Sequence, residues 1–187
     1  MGAGVLPATI HNGVVYFLFG KESKFEKTAP GFSDFGGGID DGETPIQTAV
    51  REAGEELTGF LGSSAVVRRL LRRKFVLRHD TETKKHGPYF LHIFPYAFDP
   101  ALPKYFNNNR AFIGKHLPTR TIRATKIFEK AEIRWIPITQ LARMRPQFRH
   151  YFRDIIDLIL KHRDFIRRFL SKGMERTVRR RHVLDRK

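Results

Sequence analysis

The strongest chemical signal in the chain is Arg51-Glu52-Ala53-Gly54-Glu55-Glu56. An α-helix turns about 100° per residue, which sets Glu55 about −60° and Glu56 about +40° from Glu52. Three carboxylates then share one sector of a helix. They repel one another, weaken the helix and raise one another's pKa. A divalent cation relieves both effects. Mg2+ and Mn2+ take oxygen ligands, and Mg2+ keeps several waters, so two or three carboxylates plus substrate phosphates make a site. Arg51 stands four residues before Glu55, the spacing for a pair, and is also placed to orient a neighbouring carboxylate. Taken alone, the string equally suits a solvated charged face.

The flanking residues supply the helix. Thr44 is an N-cap, Pro45 suits the first helical position and Gln47 completes a capping box. Ile46, Val50, Ala53 and Leu57 form an apolar face away from the glutamates. Gly59 is placed to cap the C-terminus in the left-handed region. Ahead of the helix, Lys21 to Gly38 reads as a polar loop ending in Phe35-Gly36-Gly37-Gly38.

Gly37, five residues, Glu43, seven residues and then Arg51-Glu52-Ala53-Gly54-Glu55-Glu56 give the pattern Gx5Ex7REUxEE, with U aliphatic. This resembles the box of the Nudix hydrolase superfamily. The stretch GAGVLPATIHNGVVYFLFGKES is also similar to Nudix proteins of large DNA viruses, a group that includes decapping enzymes. The resemblance implies a Nudix-type α/β/α sandwich with a mixed sheet, to which the apolar spacing of 147–170 adds a long basic C-terminal helix. It implies metal-dependent cleavage of a phosphoanhydride bond in a nucleoside-diphosphate-linked substrate, with Mg2+ or Mn2+ as cofactor. Glu52, Glu55, Glu56 and the Gly37 carbonyl would hold the metal, Glu43 would support them, and Arg51 would orient a carboxylate. Glu132, and after it Glu129, are distal candidates for the general base in Phe128-Glu129-Lys130-Ala131-Glu132-Ile133-Arg134-Trp135. The pattern departs at its end. Leu57 is followed by Thr58, and Gly59 and Phe60 come one place late, which implies an extended last turn.

The formal charge of +16 is unevenly spread. Residues 1–60 hold 4 basic and 9 acidic side chains, whereas 61–187 hold 31 and 10. Such a surface calls for a polyanion. Arg68, Arg69, Arg72, Arg73 and Lys74 form one cluster, and the tail 174–187 carries Arg179, Arg180 and Arg181, a short nuclear-import-like run. These are the candidate nucleic-acid contacts. Tyr16, Phe32, Phe35, Tyr89 and Tyr105 are candidate rings for stacking on a base, although Phe is abundant enough to belong in the core. Three readings follow: removal of the 5′ cap of mRNA, hydrolysis of a dinucleoside or diphosphoinositol polyphosphate, and a non-catalytic RNA-binding module. A continuous basic track leading away from the site favours RNA. Cations crowded around the cleft favour a small polyanion.

The remaining elements are those that must position the site. Residues 5–10 and 14–19 read as a hairpin around Asn12-Gly13. A short basic helix is expected over 63–73, with strands over 74–79, 89–98 and 132–138 and a polar TETKKHG link between the first two. Residues 100–120, with prolines at 100, 103 and 118, read as irregular, and 147–170 as one long amphipathic helix. The expected division is a hydrolase domain over 1–145, a helix over 146–173 packed on it, and the tail. The chain has no cysteine, which excludes disulfides, thiolate metal sites and cysteine nucleophiles. No apolar run is long enough for a membrane span, and the N-terminus has neither signal-peptide nor myristoylation character. A cytoplasmic protein is expected, with the nucleus a second location.

Overall fold

The computed structural model describes residues 1–22, 30–80, 87–125 and 127–172. Strands β1 (Gly2–His11) and β2 (Val14–Glu22) form the expected hairpin. Asn12 and Gly13 both have positive φ, 48° and 75°, as a two-residue type I′ turn demands. The strands pair only from Ala8–His11 to Val14–Phe17. Beyond that the hairpin opens, and β3 (Phe32–Ser33) and β4 (Phe35–Gly38) fill the gap, β3 on β2 and β4 on β1. The stretch read as a loop therefore contains two strands. Short glycine-rich runs carry no alternation, so periodicity missed them.

Helix α1 (Pro45–Leu57) crosses this wedge, and α2 (Ser64–Leu70) follows. Strands β5 (Phe75–His79) and β6 (Tyr89–Pro95) extend the sheet past β1, with β6 parallel to β1 and antiparallel to β5. Strand β7 (Lys130–Pro137) pairs with the other edge of β2. The sheet is mixed, as expected.

The two faces carry two cores. Ala3, Val5, Leu18, Phe35 and Ile133 meet Val50, Ala53 and Leu57 of α1, together with Val67 and Leu71. Leu6, Ala8, Phe17, Phe19, Leu91 and Ile93 on the other face are covered by the C-terminal segment. That segment is not one helix. It runs through α5 (Ile138–Met144), two short 3-10 turns and α6 (Arg153–Lys161), and is helical again over 163–172. Pro146 sits in the first 3-10 turn, and Phe148 leaves helical geometry to form a β-bridge with Phe32. The apolar stripe was legible nonetheless: Phe148, Phe152, Ile155, Ile159, Ile166 and Leu170 are all buried. Each contributes about 1.5–3 kcal/mol by leaving water.

Residues 100–120 are also largely helical, as α3 (Ala101–His116) and the start of α4 (Thr119–Thr125). The prolines mark helix ends. Pro100 is the N-cap, Pro103 lies in the first turn where its missing N–H costs nothing, and Pro118 follows the C-cap Leu117. Asp99 Oδ1 accepts the Ala101 N–H at 2.7 Å. Among the described residues no helix is long and apolar enough to cross a membrane.

Candidate active site

Helix α1 starts as its sequence dictates. Gln47 Oε1 accepts from the Thr44 N–H and hydroxyl at 2.8 and 2.6 Å. It ends one residue earlier than expected. Thr58 itself takes the left-handed conformation, φ 49°, ahead of Gly59 at φ 78°. The last turn is not extended. The Thr58 hydroxyl instead accepts the Phe128 N–H at 2.9 Å, so the position serves to tie α1 to the approach of β7.

With Ile46 half-buried and Val50, Ala53 and Leu57 buried against β1 and β4, the three glutamates follow the sheet edge. Glu52 and Glu56 are largely buried, and Glu55 is half-exposed. Each is held differently. Glu52 lies against Gly37, where a Cβ would fall 2.3 Å from its Oε1. Glu56 accepts the Gly36 N–H at 2.9 Å and pairs with Lys130 at 2.8 Å. Glu55 stands 3.7 Å from Arg51 and lines a cleft between α1 and α2.

Arg51 is the hub of the outer side. Its guanidinium meets Glu52 at 2.7 Å, Glu43 at 3.0 Å, Asp40 at 3.4 Å and the Gly38 carbonyl at 3.1 Å. Glu43 also accepts from the Thr48 hydroxyl at 2.7 Å. Arg51 and then Thr48 hold the Glu43 carboxyl down to about 2. Glu43 therefore contacts the box through Arg51, which also meets Glu52.

Lys130 was not singled out by sequence. It is fully buried at the start of β7 and touches Glu22, Glu56 and Ser33. Glu22 in turn meets Arg149. Burial opposes the Lys130 charge, but Glu56 and Glu22 hold its pKa above the ordinary lysine range. Burial pushes Glu56 up to about 8, with Glu22 and Asp34 adding to it and Lys130 opposing. A second buried pair lies nearby: the Tyr89 hydroxyl donates to Asp34 Oδ2 at 2.8 Å, and burial lifts Asp34 to about 7.

Lys130 escaped the sequence reading because of a register shift. Strict alternation from Ile133 sends Ala131 to the α1 side. The irregularity between Lys21 and Glu22 brings Lys130 there instead. Glu132 pairs with Lys21 and Ile133 with Gly20, so Glu132 projects to the face opposite the α1 core, where it meets Arg134. Its place is away from the box glutamates. Glu129 is half-buried just before β7.

The cleft is about 420 Å3 and is lined by Glu43, Gln47, Val50, Arg51, Gly54 and Glu55 on one wall and by Ser64 and Arg68 on the other. Arg68, Arg69, Arg72 and Lys74 are exposed. Arg73 is half-buried, bonds the Phe169 carbonyl and stacks 4.9 Å over the Phe169 ring, which ties α2 to the C-terminal segment. Arg179, Arg180 and Arg181 lie outside the described residues. Of the candidate stacking rings, Phe32 and Phe35 are core, Tyr89 is spent on Asp34, and Tyr16 packs near His11 and Phe98. Tyr105 is 59% exposed.

Among the described residues no three carboxylate or imidazole groups already stand together as a cation cage. The donors nevertheless suit a hard divalent ion. They are all oxygens, and Gly37 brings its backbone against Glu52 as closely as the absence of a Cβ permits.

The family model for the NUDIX domain matches residues 2–157. Among solved structures, the chain is similar to a C. elegans Ap4A hydrolase in a binary complex, with 16% identity, TM-score 0.51, and coverage of 89% of this chain and 98% of that one. It is also similar to a bifunctional NMN adenylyltransferase/ADP ribose pyrophosphatase from Francisella tularensis, complexed with AMP and a Mn ion. There the identity is 15%, the TM-score 0.54, and the coverage 86% of this chain and 41% of that one. No curated protein matches the chain. These structural likenesses speak for the fold, and the family match spans the wedge, the glutamate helix and β7 together. The chain belongs to the NUDIX domain family and is a Nudix-type hydrolase.

Proposed function

We propose that the chain cleaves a phosphoanhydride bond in a nucleoside-diphosphate-linked substrate, and that this substrate is the 5′ cap of mRNA. The observation that carries the RNA reading is a run of exposed cations that begins at the cleft wall. Arg68 lines the cleft opposite Glu55, Arg72 follows one turn later, and Arg69 and Lys74 are exposed beside them. Cations leading out of a cleft suit a chain of phosphates. Cations concentrated inside it would suit a diphosphoinositol. A dinucleoside polyphosphate is the second reading, favoured by a cleft volume in the range of small-ligand sites.

Glu52, Glu55, Glu56 and the Gly37 carbonyl would hold Mg2+ or Mn2+. When bound, the ion neutralises phosphate charge and activates water. The chain's own residues do the rest. Arg51 fixes Glu52 and stands beside Glu55, with Glu43 and the Gly38 carbonyl locking its far side. Lys130 and the Gly36 N–H fix Glu56. Glu55 alone of the three lines the cleft, so it accepts the proton of the attacking water. Arg68 meets the phosphates from the opposite wall.

The test is a panel of capped RNA, a diadenosine polyphosphate, ADP-ribose and a diphosphoinositol with Mg2+ and with Mn2+, resolving the products. Release of the cap nucleoside as its diphosphate, leaving RNA with a 5′-monophosphate, is expected, and its loss in Glu55→Gln. Glu55 is the variant of choice because Glu56 also belongs to a buried ion pair. Turnover of none of these compounds, or unchanged turnover in Glu55→Gln, overturns the reading.

A further inference from the structure

We propose that the outer face of α3 binds single-stranded nucleic acid, stacking bases on Tyr105 and Phe112 beside Lys104 and Lys115. This extends the RNA reading to a surface outside the cleft, and it does not depend on which bond is cut.

The face is built by helical spacing. At about 100° per residue, Tyr105, Asn109, Phe112 and His116 fall within about 60° of one another. Lys104, Asn108 and Lys115 fill the adjoining sector. The two rings lie about 10.5 Å apart along the axis. Tyr105 is 59% and Phe112 61% exposed. His116 packs against Phe112 at 4.4 Å between ring centroids, tilted by 40°, which steadies that ring. Lys104 and Lys115 are exposed.

The opposite side of the helix is firmly seated. Leu102 and Phe106 enter the core. The Asn107 side chain takes both polar groups of the Ile133 backbone, accepting from its N–H at 2.9 Å and donating to its carbonyl at 3.3 Å. Phe106 also packs 5.2 Å from Phe60, just past the Glu55 end of α1. The outward rings are therefore presented by a rigid element at that end of the glutamate helix.

Charge selects the occupant. From 100 to 128 the chain has six Lys or Arg and no Asp or Glu. Large exposed rings whose charged neighbours on the helix face are Lys104 and Lys115 fit a ligand with π-faces and phosphates together. A single strand offers both, since its bases are free to leave their own stack. A duplex hides its π-faces.

The test is fluorescence anisotropy of the full chain with a short uncapped single-stranded RNA, in a chelator so that nothing is cut. Tyr105→Ala and Phe112→Ala should each weaken binding about 5- to 150-fold, equivalent to 1–3 kcal/mol per stacked base. Tyr105→Phe should keep it. Lys104→Gln with Lys115→Gln should lower the salt slope by about 0.7 per lysine. Melting temperatures should not move, because these side chains face solvent. Unchanged affinity in the Tyr105→Ala, Phe112→Ala double variant overturns the proposal, as does equal binding of duplex RNA. Turnover of a diadenosine polyphosphate should survive in the ring variants and vanish in Glu55→Gln, which should still bind the RNA. Failure of the surface and failure of the hydrolase reading are thus told apart.

Discussion

Lys130 Nζ stands 2.8 Å from Glu56 Oε1, with the two side chains only 1% and 7% exposed. A lysine from the edge strand thus neutralises one glutamate of the box from inside the protein. The same ammonium reaches Glu22, which bonds Arg149 beyond it. The glutamate helix is thereby wired through β2 and β7 to the C-terminal segment. Removing the lysine leaves buried carboxylates without their cation. Lys130→Met should destabilise the protein by about 3–5 kcal/mol in urea unfolding. Adding Glu56→Gln to that variant should recover part of the loss. No recovery would assign the loss to packing.

Arg51 makes a different demand, for shape as well as charge. Its planar fork reaches Glu43 through two nitrogens while a third meets Glu52. A lysine supplies one point charge and cannot span them. Arg51→Lys should lower metal affinity or turnover by about 10- to 100-fold with little change in melting temperature. Mn2+ titration and initial rates on the same preparation check this, and wild-type values for both would remove Arg51 from its orienting role.

What the sequence disclosed was the part built on period and caps. The glutamate sector, the Thr44 cap, the Asn12-Gly13 turn and the buried stripe from Phe148 to Leu170 all follow from local rules. What it concealed depends on pairing between distant strands. The β3–β4 wedge is recognisable only once β1 and β2 have splayed. Glu132 faces outward by plain alternation from Ile133, but Lys130 turns inward because the pairing with β2 skips Ala131. Tyr89 looked like a stacking ring, yet it lies over glycines of β1 and β4, where a Cβ at Gly4 would meet its hydroxyl at 2.5 Å. Proline also misled: at 100, 103 and 118 it bounds a helix instead of preventing one.

Two glycines in the motif separate geometry from propensity. A Cβ at Gly37 would fall 2.3 Å from Glu52 Oε1, whereas one at Gly54 meets nothing within 4 Å. Gly37→Ala should therefore displace the Glu52 carboxylate and cut Mn2+ affinity at least tenfold, on the scale of a disturbed ligand shell. Gly54→Ala, inside α1, should stabilise the protein by up to about 1 kcal/mol through helix propensity. Paired Mn2+ titrations and melting curves decide both. Retained affinity in Gly37→Ala would show that Glu52 gives way without cost.

Asp34 gives a stability signature that can be read without substrate. It is 2% exposed and accepts from Tyr89, and burial lifts its carboxyl from 3.8 to about 7. Between those values the folded protein holds a proton that the unfolded chain has released, so stability falls as pH rises through the window. Glu43 acts oppositely: its carboxyl is depressed to about 2, so its stabilisation is present above 4.5 and is lost as pH drops towards 2. Above the range in which Glu43 titrates, the metal-free protein should melt at progressively lower temperature from about pH 5 to about pH 7. Asp34→Asn keeps an acceptor for Tyr89 and removes one titration. It should match the wild type near pH 4 and exceed it at pH 8, giving a flatter curve. Parallel melting curves for the two proteins across that range would place the pH response elsewhere.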